Sequence, residues 1–160
     1  MVSIENTTNK GGGACYDMNN LKAIKEVCIQ NNLIYHLDGA RLWNALVAKN
    51  QNPKEYGQLF DTISVCLSKG LGAPVGSVML STKDRVAKAR VWRKRYGAGM
   101  RQIGLLAAGA HYALDNNIDR LSEDHRRAQE LAKAIAAIDS SLIDPTTVHT
   151  NIVGLDLAAL

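Results

Sequence analysis

The sequence predicts an α/β fold: a partial three-layer αβα sandwich that runs into the start of a small α/β domain. Three observations carry this expectation. Before about residue 80, short β-capable runs alternate with helical patterns, which is the signature of a parallel or mixed sheet with flanking helices. After residue 80 the pattern is dominated by long helices. A late alternating run, Thr150 to Leu157, follows a turn marked by Pro145.

Each element has a local cause. Val2 to Glu5 is short and β-capable. Asn6 to Tyr16 reads as loop, with Gly11, Gly12 and Gly13 in a row. Asp17 is a fitting N-cap for a helix to about Gln30, in which Leu21, Ile24, Lys25 and Cys28 share a face. Leu33 to Leu37 is β-branched and aromatic, and ends in Asp38-Gly39. Ala40 to Ala48 is helical in composition, and Pro53 can open a short helix through Leu59. Thr62 to Leu67 is a near-continuous apolar strand ending at Ser68-Lys69. Gly70 to Pro74 is loop, and Val75 to Leu80 is a third internal strand. Thr82 is placed to cap a basic helix to about Arg95, with Val86, Ala89 and Trp92 expected inward. Gly97-Ala98-Gly99 breaks it. Met100 to Asn116 predicts a small-residue helix. Ile118 to Ile138 predicts an amphipathic one, with Leu121, Ala128, Leu131, Ala132, Ile135 and Ile138 on its apolar side.

The chain has 160 residues, 46% hydrophobic and 21% charged, which is a globular balance and not that of a disordered tail. The longest apolar run, Ile103 to Ala110, is far short of the roughly 20 residues a bilayer requires, so no membrane association is expected. The residues after Met1 lack a charged-then-apolar pattern, so no secretory signal is expected. A net charge of +4 permits an anionic ligand without demanding nucleic acid. Three separated cysteines without a C-x-x-C pair fit a reducing cytoplasm better than a disulfide framework or a metal site.

In open α/β sheets, ligands gather at the carboxyl ends of strands. Two strands here end in reactive groups, Asp38 and Lys69. Lys69 precedes Gly70, Gly72 and Gly76, so little bulk surrounds it and a flat ligand can approach. A desolvated lysine more readily loses its proton, and the neutral amine is the nucleophile that condenses with a carbonyl. The glycines fail the spacing of both the dinucleotide fingerprint and the P-loop. Arg41 lies three residues after Asp38, and its planar fork suits a carboxylate or phenolate oxygen.

Four blocks then carry a family resemblance: Ile4-Glu5-Asn6-Thr7, His36 to Leu42, Cys66 to Ser77, and Trp92-Arg93-Lys94 with Gly99-Met100-Arg101-Gln102. The chain resembles the low-specificity L-threonine aldolases, pyridoxal-phosphate enzymes of the aspartate aminotransferase fold type. The resemblance implies that Lys69 bonds pyridoxal 5'-phosphate and that Asp38 pairs with its ring nitrogen. It implies that Arg41 contacts a cofactor oxygen or the substrate carboxylate. Lys94 and Arg101 would be basic residues near the mouth of the site, shared between subunits of a homo-oligomer (dimer or tetramer). Where some relatives carry a histidine after the Glu-Asn-Thr block, this chain has Thr8.

The implied reaction is retro-aldol cleavage of a β-hydroxy-α-amino acid, threonine or allo-threonine, to glycine and an aldehyde. On this reading, residues 1–138 are the central and C-terminal part of the cofactor-binding large domain, with its connecting helix. Residues 139–160 are the truncated start of a small domain. The phosphate-binding loop lies upstream, so the chain alone is expected to be a central, incompletely active piece that self-associates. Two other readings stand beside this one. The first is a different lyase or transferase of the same fold type. The second is a non-catalytic nucleic-acid module built on the basic helix Lys83 to Arg95. The modest net charge and the lack of a recognition motif favour a solvated helix face over that module.

Overall fold

A computed structural model describes residues 1–158. Its single sheet contains β1 (Val2–Glu5), β2 (Tyr35–Gly39), β3 (Thr62–Cys66) and β4 (Ser77–Ser81), in that spatial order. The first three strands are parallel, joined through helices, and β4 runs antiparallel to β3. The sheet is therefore mixed. Too few residues separate β3 from β4 for the long crossover that parallel strands require.

The helices are α1 (Met18–Gln30), α2 (Leu42–Lys49), α3 (Pro53–Leu59), α4 (Lys83–Arg95), α5 (Gly104–Asn116) and α6 (Leu121–Ile138). Asp17 caps α1 by accepting a hydrogen bond from the Asn19 amide at 2.8 Å, an interaction typically worth about 1 kcal/mol. Asn52 caps α3 in the same way, one residue before Pro53. Thr82 holds the N-cap position of α4, but its side chain makes no capping bond.

Strand register sorts the side chains onto two faces. Ile4, Leu37, Ile63 and Leu80 align across the sheet, as do Val65 and Val78. This face packs Tyr35, Leu37, Ile63 and Val65 against Leu21, Cys28, Leu42, Leu46 and Tyr56 from α1, α2 and α3. Tyr35 and Phe60 meet with ring centroids 4.2 Å apart. The opposite face aligns Glu5, Asp38, Ser64 and Met79. None of these is buried, and Met79 is 41% exposed. Among the described residues, the fold thus shows the sheet and one apolar helical layer of the sandwich. The apparent continuity of the Thr62–Leu67 run hides an alternation: Ile63 and Val65 are buried while Ser64 and Cys66 are half-buried.

A second cluster joins Leu67, Leu71 and Ala73 to Ala110 and Ala113 of α5 and to Leu121. A third packs Ala128 and Ala132 of α6 against Ile143 and Val148, around a 3-10 turn at Pro145–Thr147.

Three expectations need correction. Thr150 to Leu157 forms no strand, because among the described residues no neighbouring strand pairs with it. It is held instead by isolated bonds, such as Asp156 N–H to the Leu142 carbonyl at 2.8 Å, and by Val153 packed on the third cluster. Leu131 and Ile138 are exposed, so the buried stripe of α6 is narrower than the periodicity implied. Trp92 is 53% exposed and α4 buries none of its residues. No helix among the described residues is long and apolar enough to cross a membrane.

Candidate active site at the carboxyl ends of the parallel strands

Asp38 is the penultimate residue of β2 and sits on the open, polar face. Its Oδ1 accepts the Ala40 amide at 3.1 Å, which fixes the carboxylate over the strand end. Gly39 must follow. A Cβ there would lie 2.7 Å from the Ser64 carbonyl oxygen on β3, closer than real Cβ atoms come. Arg41 is half-buried immediately before α2, and its carbonyl accepts the Asn44 and Ala45 amides.

Lys69 lies in the loop that joins β3 to β4. The loop is closed by Leu67 N–H to the Gly76 carbonyl and by Ala73 N–H to the Leu67 carbonyl, both at 3.0 Å. Within it, the Lys69 carbonyl accepts the Gly72 amide at 2.8 Å, and Gly72 takes a φ of 74°, which favours glycine. Leu71, 2% exposed, pins the loop to the second cluster. Asn117 donates to the Leu71 carbonyl at 2.7 Å. Pro74 touches α5 where Gly109 leaves room: a Cβ at Gly109 would stand 3.0 Å from its Cδ. Gly70 backs onto Leu121 and the Asn44 amide group. Asn44, buried on α2, meets His125 Nε2 of α6 at 3.1 Å. Burial pushes the His125 imidazole below its ordinary pKa, consistent with a neutral ring accepting from Asn44.

The loop after β1 is set from below. Tyr56, wholly buried, accepts from Asn6 Nδ2 at 3.0 Å and donates to Gln51 Oε1 at 2.7 Å. Burial pushes its phenol up to about 12, with the Asn6 bond opposing in part. Gly13 in the glycine run carries a φ of 80°, and its carbonyl accepts the Thr150 hydroxyl at 3.0 Å.

Asp38 at the end of β2 and Lys69 beyond the end of β3 thus lie at the same end of two adjacent parallel strands, with Arg41 just before the next helix. Asp38, Arg41 and Lys69 form no ion pair among the described residues. A carboxylate can meet a heteroaromatic N–H, a guanidinium an anionic oxygen, and an amine a carbonyl carbon. Lys94 and Arg101 are exposed. Lys94 lies along Gly99, where a Cβ would meet its Cδ at 3.0 Å. Neither residue bonds to Asp38, Arg41 or Lys69. The sequence marks His125 only as structural or exposed and gives Asn44 and Asn117 no role, because each acts across a long separation that no local pattern marks.

A cavity of about 660 Å³ opens on the other, apolar face, between Trp43, Phe60, Val65, Val78 and Leu80. Its polar rim is Asp61 with Lys25 at 3.1 Å and Arg85 at 3.4 Å. Partial burial pushes the Asp61 carboxyl up. The Tyr35 amide, the Lys25 hydrogen bond and the two cationic charges outweigh that and hold it below the ordinary aspartate range. These groups tie elements together and offer no free nucleophile.

Comparison with known proteins gives the family and the fold. The low specificity L-threonine aldolase of Escherichia coli K12 is 45% identical over 135 residues, covering 84% of this chain and 40% of that protein. The low-specificity L-threonine aldolase of Candida albicans is 40% identical over 159 residues, covering 99% of this chain and 41% of its own. A solved structure from Exiguobacterium sp. 255-15, assigned provisionally to the aromatic amino acid beta-eliminating lyases or threonine aldolases, has a TM-score of 0.85 at 27% identity. It covers 93% of this chain and 42% of that one. The chain therefore spans less than half the length of these relatives. The family described as Beta-eliminating lyase matches residues 1–158, and the chain belongs to it.

Proposed function

We propose that this chain carries the amine and carboxylate core of a pyridoxal-phosphate lyase that cleaves a β-hydroxy-α-amino acid to glycine and an aldehyde. The observation that carries the reading is the placement of Asp38 and Lys69 at the carboxyl ends of neighbouring parallel strands, neither of them engaged in an ion pair among the described residues. The two named relatives, both low-specificity L-threonine aldolases, support threonine as the substrate class.

The donor set fits the cofactor. Asp38 has one carboxylate oxygen taken by Ala40 and the other free to hold a proton at a ring nitrogen. Lys69 would hold the cofactor through its amine, and as a free amine it could hold or move a proton beside Cα. Arg41 would bind the phenolate oxygen or the substrate carboxylate, and holding the carboxylate would turn the Cα–Cβ bond into the orientation needed for cleavage. When bound, pyridoxal phosphate supplies an electron sink for the pair left at Cα. Lys94 and Arg101 belong to the mouth of the site on this reading.

The same proposal takes residues 139–160 as the start of a second, smaller unit, which packs Ile143 and Val148 against Ala128 and Ala132 of the connecting helix α6. It also takes the protein as a homo-oligomer. Support comes from apolar side chains left in solvent on and before α5, including Leu105 at 85% exposed and Met100 at 69%. Cys15, Cys28 and Cys66 are free thiols, which accords with a cytoplasmic setting.

The test is to add pyridoxal phosphate to the purified chain, reduce with borohydride and map the modified lysine by peptide mass spectrometry. Selective labelling of Lys69, lost in Lys69→Ala, is expected. Labelling spread over surface lysines and unchanged in the variant would overturn the reading.

A further inference from the structure

Glu5 takes no part in the contacts of Asp38, Arg41 or Lys69, yet the sheet places it beside Asp38. The two residues are register partners on the parallel strands β1 and β2. Neighbouring strands lie about 4.8 Å apart and register partners point to the same face, so the two carboxylates share one edge of the polar surface. Glu5 is half-buried, forms no ion pair among the described residues, and precedes the buried Asn6 that Tyr56 holds in place. Two carboxylates held side by side repel, and a cation between them relieves the repulsion.

We infer that Glu5 is a positioning residue whose negative charge, acting with Asp38, favours the protonated ring nitrogen of the bound cofactor. The inference rests on the pyridoxal-phosphate reading above. Other charged or titratable groups face the same region. They are His36 on β2, with its Nδ1 2.7 Å from Thr62 Oγ1, Cys66 on β3, and Arg41 and Lys69 beyond the strand ends.

The test uses the full chain with pyridoxal phosphate and compares Glu5→Gln, Glu5→Asp and Asp38→Asn. Two quantities are read: the dissociation constant, and the pH at which the absorbance band of the bound cofactor changes. Glu5→Gln is expected to weaken binding several-fold and to move that pH downward. Glu5→Asp, which keeps the charge, should restore both in large part, and Asp38→Asn should have the largest effect. If Glu5→Gln matches the unaltered chain while Asp38→Asn loses binding, the role of Glu5 is overturned and the cofactor reading stands. If Glu5→Asp behaves like Glu5→Gln, charge is not what matters and the inference fails. If the unaltered chain does not hold the cofactor, both readings fail together.

Discussion

The loop that carries Lys69 and the segment that carries Lys94 and Arg101 are both punctuated by glycine, but they are held in opposite ways. Between Gly70 and Gly76 lie Leu71 and Ala73, both buried, and the loop is gripped by Asn117, by Pro74 against Gly109, and by Leu121. Between α4 and α5, Tyr96 is 83% exposed, Met100 69% and Ile103 50%. Helix α4 buries nothing, and its one ion pair among the described residues is Arg85 to Asp61 at 3.4 Å. Glycine marks a turn in both places. Whether the turn becomes a fixed platform is decided by the apolar side chains between the glycines and by what waits to receive them. Catalytic groups gain from being held in place ahead of substrate arrival. The first loop is built that way and the second is not.

The largest expected effect is at the anchor. Leu71→Ala should cost about 2–5 kcal/mol, as buried leucine truncations do. It should appear as a lower denaturant midpoint and a loss of selective Lys69 labelling. Next, Asn117→Ala leaves the Leu71 carbonyl without its donor and should cost about 1–3 kcal/mol. Labelling of Lys69 should fall with it, whereas an unchanged midpoint and unchanged labelling would mean the Asn117 bond does not hold the loop.

A smaller effect concerns acid. Asp61 sits below its ordinary value in the folded chain, so its contribution is fully present above the unfolded aspartate range, near pH 4. That contribution is lost as pH falls through the folded value. Asp61→Asn should flatten the acid limb of stability against pH, and an unchanged limb would remove Asp61 from the account. The smallest effect is expected at Trp92→Ala, within about 0.5 kcal/mol of the unaltered chain. A loss there as large as that at Leu71 would dissolve the contrast between the two segments.

Much of the candidate site is legible in the sequence. Asp38-Gly39 and Ser68-Lys69-Gly70 each end a recognisable strand, and a strand end is a local feature of the chain. The bracing residues are not legible there. Asn44 and His125 are 81 residues apart, and Asn117 is 46 from Leu71. No spacing rule links positions that distant. Trp92 shows the reverse failure. Its helical periodicity is right, but periodicity says which residues share a face and not whether anything covers that face.

Local chemistry alone determined the helix caps at Asp17 and Asn52, the short strands, and the turn signals at the glycines. Those choices depend on a few neighbouring residues and on backbone sterics. Tertiary structure decided that β4 turns back against β3 and that Glu5, Asp38 and Ser64 align in one row. It also left Thr150 to Leu157 unpaired as strand and tied Thr150 to Gly13 instead. Pairing, register and burial are properties of two segments meeting, and the free energy that selects them exists only once both are in place.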